Sequence, residues 1–206
     1  MHNQLVYVEG TAAPSAIASV IQSTGRDAVL RGSGNSNGAG VCILETHSTA
    51  VPDKVRGLVR MVQVSPSMTL VDLAIRGLTP GKYWVTVRQS GDISEGAAST
   101  GRIWEAADEK SGSTAQARGE LGTVEVGQDC LGSMFFDKAV HIWEVIGRTI
   151  VVSRERDGEF KKDDANTLVG VIARSAGVWD NDKTVCSCSG KTLWEERMDA
   201  VSKGML

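Results

Sequence analysis

Apolar and polar residues alternate in short runs through the middle of this 206-residue chain. Thr69 to Arg76 carries Val71, Leu73 and Ile75 on one face, with Asp72 and Arg76 on the other. Tyr83, Val85 and Val87 alternate in the same way with Lys82, Thr86 and Arg88. A period of two predicts half-buried strands. Further strands are predicted at Val41–Leu44, Val55–Val64 (with Arg56 and Arg60 interleaved), Leu121–Val126, Val140–Val145, Thr149–Val152 and Val169–Ala173. Turn signals such as Gly77-Leu78-Thr79-Pro80-Gly81 separate them, and residues 105–118 and 154–166 read as loops. Many short strands between turns indicate an antiparallel sandwich or barrel.

Both ends depart from this pattern. Leu5-Val6-Tyr7-Val8 reads as a strand. Pro14-Ser15 starts a helix with Ile17, Val20 and Ile21 on one face, Gly25 ends it, and Ala28-Val29-Leu30 reads as another strand. This β-α-β is about half of a ferredoxin-like unit and is too small to bury a core alone. Gly32 to Gly38 has linker composition. At the other end, Leu193, Arg197 and Val201 within Lys191–Val201 recur at helical spacing, so the Trp194-Glu195-Glu196-Arg197 run reads either as a short amphipathic helix or as a solvated tail.

Composition adds exclusions. The formal net charge is −3, which offers no basic footprint for nucleic acid. No apolar run approaches the roughly 18 residues of a membrane span. The start, Met1-His2-Asn3-Gln4, lacks a basic stretch followed by an apolar one, so no secretory signal is read there. Four unevenly placed cysteines make no extracellular disulfide framework, and a reducing, cytoplasmic setting is expected. Twenty-three glycines against four prolines suit a β-rich fold with many turns.

The chemistry concentrates at Cys186-Ser187-Cys188. In extended backbone, side chains at i and i+2 share one side, so both sulfurs can face one soft metal ion or one disulfide partner. Thiolates select Cu(I) or zinc over hard cations. A disulfide closed across one residue would be strained and readily passed on by exchange. Lys183, Lys191 and Arg197, close in sequence, favour the thiolate. Cys42 lies in the apolar Val41-Cys42-Ile43-Leu44 run and reads as core, and Cys130 receives no role.

Gly77-Leu78-Thr79-Pro80-Gly81, Gly91-Asp92, Gly119-Glu120-Leu121-Gly122 and Gly147-Arg148-Thr149-Ile150-Val151-Val152 stand in an order and spacing that resemble the Greek-key β-barrel of copper/zinc superoxide dismutase, over roughly residues 40–178. The ending is more specific. Gly170-Val171-Ile172-Ala173-Arg174-Ser175-Ala176-Gly177, then Cys-x-Cys, then Trp194-Glu195-Glu196-Arg197, resembles the copper chaperones for superoxide dismutase. The resemblance implies three parts. Residues 1–34 are a partial heavy-metal-associated segment, truncated ahead of the family's Met-x-Cys-x-x-Cys loop. Residues 35–178 are a dismutase-like docking barrel, and residues 179–206 are a flexible Cys-x-Cys transfer tail.

Departures from the dismutase pattern separate chaperone from enzyme. The strand that would carry a His-x-His pair reads Thr86-Val87-Arg88, and a further copper-histidine position is Ser153. Zinc-loop histidine positions fall at Ala117 and near Ile103, and the dismutase disulfide positions near Ala97 and Val169. His2, His47 and His141 match no ligand position. The resemblance therefore implies a non-enzymatic metallochaperone. It docks on immature Cu/Zn superoxide dismutase as a heterodimer, through Gly170, Val171, Ile172, Ala173, Arg174 and Ser175. Cys186 and Cys188 hold Cu(I), deliver it, and carry out thiol–disulfide exchange. Zinc in the barrel is not expected, and a homodimer is left open for the free chain. Two rival readings are a docking-only subunit without copper delivery and, against the histidine count, a divergent dismutase.

Overall fold

Strands form where every second residue can be buried, and eight stretches of the chain meet that condition. In the computed structural model, which describes residues 5–10, 12–105, 117–177 and 190–202, these are β1 (Ala39–Glu45), β2 (Val55–Ser65), β3 (Met68–Arg76), β4 (Gly81–Val87), β5 (Glu120–Val126), β6 (Leu131–Lys138), β7 (Thr149–Ser153) and β8 (Leu168–Arg174). They close into a barrel in the order β1-β2-β3-β6-β5-β4-β7-β8, every pair antiparallel, with β8 returning to β1. The crossovers β3 to β4 and β6 to β7 give the Greek-key connection expected from the sequence.

Alternation decides which side chains enter the barrel. Leu44, Met61, Leu73, Tyr83, Val85 and Ile150 are fully buried inside. Their outward neighbours Thr86, Arg88 and Ser153 are buried instead beneath surface loops. A second, small apolar cluster lies on this outer side: Ala97, Val151 and Val169, backed by Ile93 and Phe160. Ala97 and Val169, near which the resemblance places the dismutase disulfide, thus share one apolar cluster.

Helix α1 (Pro14–Ser23) starts at its proline, whose missing N–H costs nothing at that position. None of its side chains is buried. It touches the barrel through Ser15, whose N–H and hydroxyl donate to the two oxygens of buried Asp72 on β3 at 3.0 and 2.6 Å. Helix α2 (Ile142–Val145) is a single turn before β7, and α3 (Leu193–Ser202) lies in the tail. Among the described residues, no helix is long and apolar enough to cross a membrane.

Three local expectations change, and one strand is added. Leu5–Val8 and Ala28–Leu30 are not strands, because no neighbouring described strand pairs with them, and Leu5, Val6, Tyr7 and Val8 are exposed. The Val140–Val145 run is a helical turn: buried Ile142 and Val145 are spaced i, i+3, and Glu144 reaches back to the His141 N–H at 2.9 Å. The strand expected there is β6, a few residues earlier. Its apolar residues fall on both faces, with Met134 and Phe136 against the core and Leu131 and Phe135 exposed, so no alternation marks it.

Candidate functional site

The outer face of β4 and β7 is where the resemblance places metal ligands. Register puts Trp84 opposite Ser153 and Thr86 opposite Val151, so Thr86, Arg88 and Ser153 lie on one face. All three are buried, and Arg88 is 0% exposed. Its Nη1 donates to Asp157 Oδ1 at 2.6 Å, its Nη2 to the Arg156 carbonyl at 3.5 Å, and the Phe160 ring covers the guanidinium with its centroid 4.6 Å away. Burial pushes the Arg88 pKa down, and Asp157 opposes that shift. Beside it, buried Glu120, opposite Thr86 on β5, accepts from Arg156 Nε at 2.7 Å. Ser153 meets the Thr167 hydroxyl at 3.4 Å.

This is a cation-filled region, not a ligand set. A buried guanidinium cannot coordinate a metal and repels one electrostatically. Among the described residues, no three His, Cys, Asp or Glu side chains converge to hold an ion. His47 approaches Glu45 at 3.5 Å, and His141 stacks on Trp143 at 5.6 Å, so these histidines serve local packing. Ile103 is buried and bridges Arg88 through the backbone. His2 lies outside the described residues.

The six residues expected at a partner interface occupy β8 and the residue after it. Gly170 and Ile172 are buried, Val171 and Ser175 half-buried, Ala173 and Arg174 exposed. Gly170 is required by close approach: a Cβ there would overlap the Ile43 carbonyl oxygen and lie 2.8 Å from Cys42 Sγ. Ile172 anchors the strand to the turn before β7, accepting from the Gly147 N–H and donating to the Arg148 carbonyl, both at 2.8 Å. Arg148 in turn donates to the Gln89 carbonyl at 2.8 Å, and Gly91 packs onto the Gly147 carbonyl. The end of β8, the turn 146–148 and the loop 89–92 therefore form one corner. Trp143, on the turn of helix leading into it, is 68% exposed. Gly91 and Gly147, which in the sequence mark the barrel fold, also shape this corner by close backbone approach.

Cys186 and Cys188 lie outside the described residues. Their flanks are described. Ser175 N–H donates to the Ala39 carbonyl at 3.0 Å, so the barrel's last strand is tied down just before the tail. After the tail's cysteines, Thr192 caps α3: its N–H and hydroxyl donate to Glu195 at 2.7 and 2.9 Å, and the Glu195 N–H donates back to the hydroxyl at 3.2 Å. Of the other cysteines, Cys42 is buried in the core, where burial pushes its thiol up to about 12. Cys130 is half-buried on the β5–β6 turn at φ 61°.

Comparison with known proteins agrees with this arrangement. The family model described as copper/zinc superoxide dismutase (SODC) matches residues 55–176. A superoxide dismutase 1 copper chaperone of Kluyveromyces lactis is 43% identical over 97% of this chain and 80% of its own length. One of Debaryomyces hansenii is 43% identical over 100% and 84%. The copper chaperone for superoxide dismutase of Homo sapiens is 33% identical over 96% and 77%. Among solved structures, the clock protein EA4 superposes with a TM-score of 0.55 at 21% identity, covering 68% of this chain and 97% of that one, and shows the shared barrel fold. With a dismutase-type barrel and chaperone relatives matched along nearly its whole length, this chain belongs to the family of copper chaperones for superoxide dismutase.

Proposed function

We propose that this protein is a cytoplasmic copper metallochaperone that docks on immature Cu/Zn superoxide dismutase, delivers Cu(I) to it and promotes formation of its disulfide. The observation that carries the reading is the filled site. The barrel resembles the dismutase, yet its ligand positions hold Thr86, Ser153 and a buried Arg88 neutralised by Asp157. Such a barrel can present a dismutase-like surface without competing for the metal.

Docking uses the corner at the end of β8. Val171, Ala173, Arg174 and Ser175 offer side chains there, while Gly170 and Ile172 set the strand's position from beneath. A face that imitates one half of a two-fold interface can replace one subunit and give a heterodimer. In this reading residues 1–34 are a partial heavy-metal-associated segment, residues 35–178 the docking domain, and residues 179–206 the transfer tail. Docking raises the effective concentration of Cys186 and Cys188 at the partner's immature site. Cu(I), the cargo, passes from the two thiolates to the partner's ligands by stepwise exchange. Once an external two-electron oxidant such as dioxygen has taken two electrons and two protons from Cys186 and Cys188 to close their disulfide, a partner thiolate attacks it. The mixed disulfide is then resolved by the partner's second thiolate, leaving the partner oxidised and the tail reduced.

The test is Cu(I)-dependent activation of metal-free, disulfide-reduced dismutase by wild type and by Cys186→Ser/Cys188→Ser. Activation by wild type alone, with both proteins forming the heterodimer, is expected. Full activation by the double variant would overturn the transfer role. Heterodimer formation without activation by wild type would mark the chain as a docking subunit only.

A further inference from the structure

Helix α2 is one turn long, Ile142–Val145, and a single turn cannot hold itself in water. Its place is imposed from outside. Ile142 and Val145 are buried in the core, and the Ile142 N–H donates to Gln63 Oε1 on β2 at 3.1 Å. Glu144 is gripped separately, by Arg118. Arg118 Nη1 donates to Glu144 Oε1 at 3.0 Å and Nη2 to Oε2 at 2.7 Å, a two-pronged pair whose side chains are 24% and 12% exposed. Arg118 Nη2 also donates to the Ala139 carbonyl at 3.1 Å. One guanidinium thus holds both the helix and the segment that enters it.

This pair is supported by Trp104, a buried ring that takes two guanidinium groups. The central carbon of Arg118 lies 5.4 Å from the ring centroid, and that of Arg148 5.0 Å. The tryptophan backbone is locked. Its N–H donates to the Val87 carbonyl at 2.9 Å, its carbonyl accepts from the Gly119 N–H at 3.0 Å, and a Cβ on Gly119 would overlap both carbonyl oxygens. Arg148 in turn donates through Nε to the Glu144 carbonyl and through Nη1 to the Gln89 carbonyl, both at 2.8 Å. Loop 89–92, turn 146–148 and α2 therefore meet around one fixed ring. None of the three belongs to a barrel strand.

We propose that Arg118 and Glu144, with Trp104 as their support, are positioning residues for docking: they hold α2 and the turn after it in the orientation that the corner at the end of β8 presents to a dismutase subunit. This rests on the reading of that corner as the docking surface. The pair acts through α2 and need not touch the partner. Arg118 and Glu144 belong to neither the strand ladders nor the apolar core, so their loss leaves the barrel standing. What changes is how often the corner adopts its binding form. A corner in that form only a tenth of the time binds about tenfold more weakly.

The experiment uses the full chain as wild type, Arg118→Gln, Arg118→Lys, Glu144→Gln and Arg118→Gln/Glu144→Gln. Gln at position 144 can still accept from the His141 N–H, so the helix cap survives. Two quantities are read: the Kd of the heterodimer with metal-free, disulfide-reduced dismutase, and hydrogen exchange of the free chain. The informative amides are Glu144, Ile146 and Arg148, which bond to the carbonyls of His141, Ile142 and Val145. Each Gln variant is expected to raise Kd about tenfold and to speed exchange at these amides by a similar factor, while the barrel strands stay protected. The double variant should match Arg118→Gln, because each residue acts through the other. Arg118→Lys keeps the charge but loses the fork, and should also match Arg118→Gln. Full affinity in Arg118→Lys would assign the effect to charge alone, and an unchanged Kd beside faster exchange would leave the pair a merely structural role; either result overturns the proposal, as would additive effects in the double variant. Docking itself is judged on wild type. No heterodimer there would overturn the docking reading and this inference with it, whereas wild-type binding with unaltered variants would overturn this inference alone.

Discussion

Buried Arg88 and its counter-ion Asp157 make a prediction whose sign is informative. Arg88 is fully buried, while the Asp157 side chain is 40% exposed. Removing one partner of a buried pair strands an uncompensated charge and costs roughly 3–5 kcal/mol when both partners are buried. Solvent screens the half-exposed Asp157, so Asp157→Ala is expected to cost less, about 2 kcal/mol. Arg88 Nε has no hydrogen-bond partner among the described residues, which adds to the cost of keeping the cation buried. Arg88→Met removes that cost, retains the contact with Phe160, and should fall within about 1 kcal/mol of wild type. In a domain of this size, 2 kcal/mol lowers Tm by about 4–8 °C. Urea unfolding monitored by tryptophan fluorescence, with calorimetry beside it, gives both quantities. The double variant should match Arg88→Met alone, because Asp157 has nothing left to neutralise. A neutral Asp157→Ala, or an Arg88→Met as damaging as Asp157→Ala, would refute the description of this site as a buried cation held by its counter-ion.

Three further outcomes follow from the geometry. Gly170→Ala drives a Cβ into the Ile43 carbonyl, where backbone cannot yield cheaply; a loss of about 3 kcal/mol in denaturant unfolding is expected. Cys42, its thiol pushed up to about 12 by burial, should resist iodoacetamide at pH 8 until the barrel unfolds, whereas half-buried Cys130 should react in the folded protein, as read by peptide mass mapping. The Arg197 guanidinium holds the Asp27 carboxyl below its ordinary 3.8, with Ala28 and Gln22 also bonding the ionised form. A depressed carboxyl stabilises the docked tail fully above its undocked pKa and loses that effect as pH falls through its docked value. Amide NMR signals of α3 should therefore report release below pH 3.8 and stay constant above about 5.

Most of the barrel could be read from the chain because β2, β3 and β4 send alternate apolar residues into the core, a local pattern, while β7, buried throughout, shows as a short apolar run. β6 escaped because its apolar residues face both the core and the surface, so periodicity carries no sign there. Val140–Val145 misled for the opposite reason: three buried apolar residues at mixed spacing fit either a strand or a turn of helix until Glu144 is seen capping it. The site divided in the same way. Sequence could say that Arg88 and Ser153 are not histidines. It could not say that Asp157, 69 positions away, would neutralise the arginine, or that Asp27 would meet Arg197. Those pairings belong to tertiary structure, and charge pattern alone offers many equivalent partners.

The return of β8 to β1 has a consequence for how this protein can associate. An open sheet offers a row of unpaired amides and carbonyls that any extended peptide can zip onto, and such edges seed aggregation. Here β8 is paired with β7 on one side and β1 on the other, so a second barrel that meets this strand grips it by side chains and glycine-lined contours. Contacts of that kind form and separate without breaking main-chain ladders. For the docking proposed at β8, the pairing of that strand on both sides supplies such reversibility.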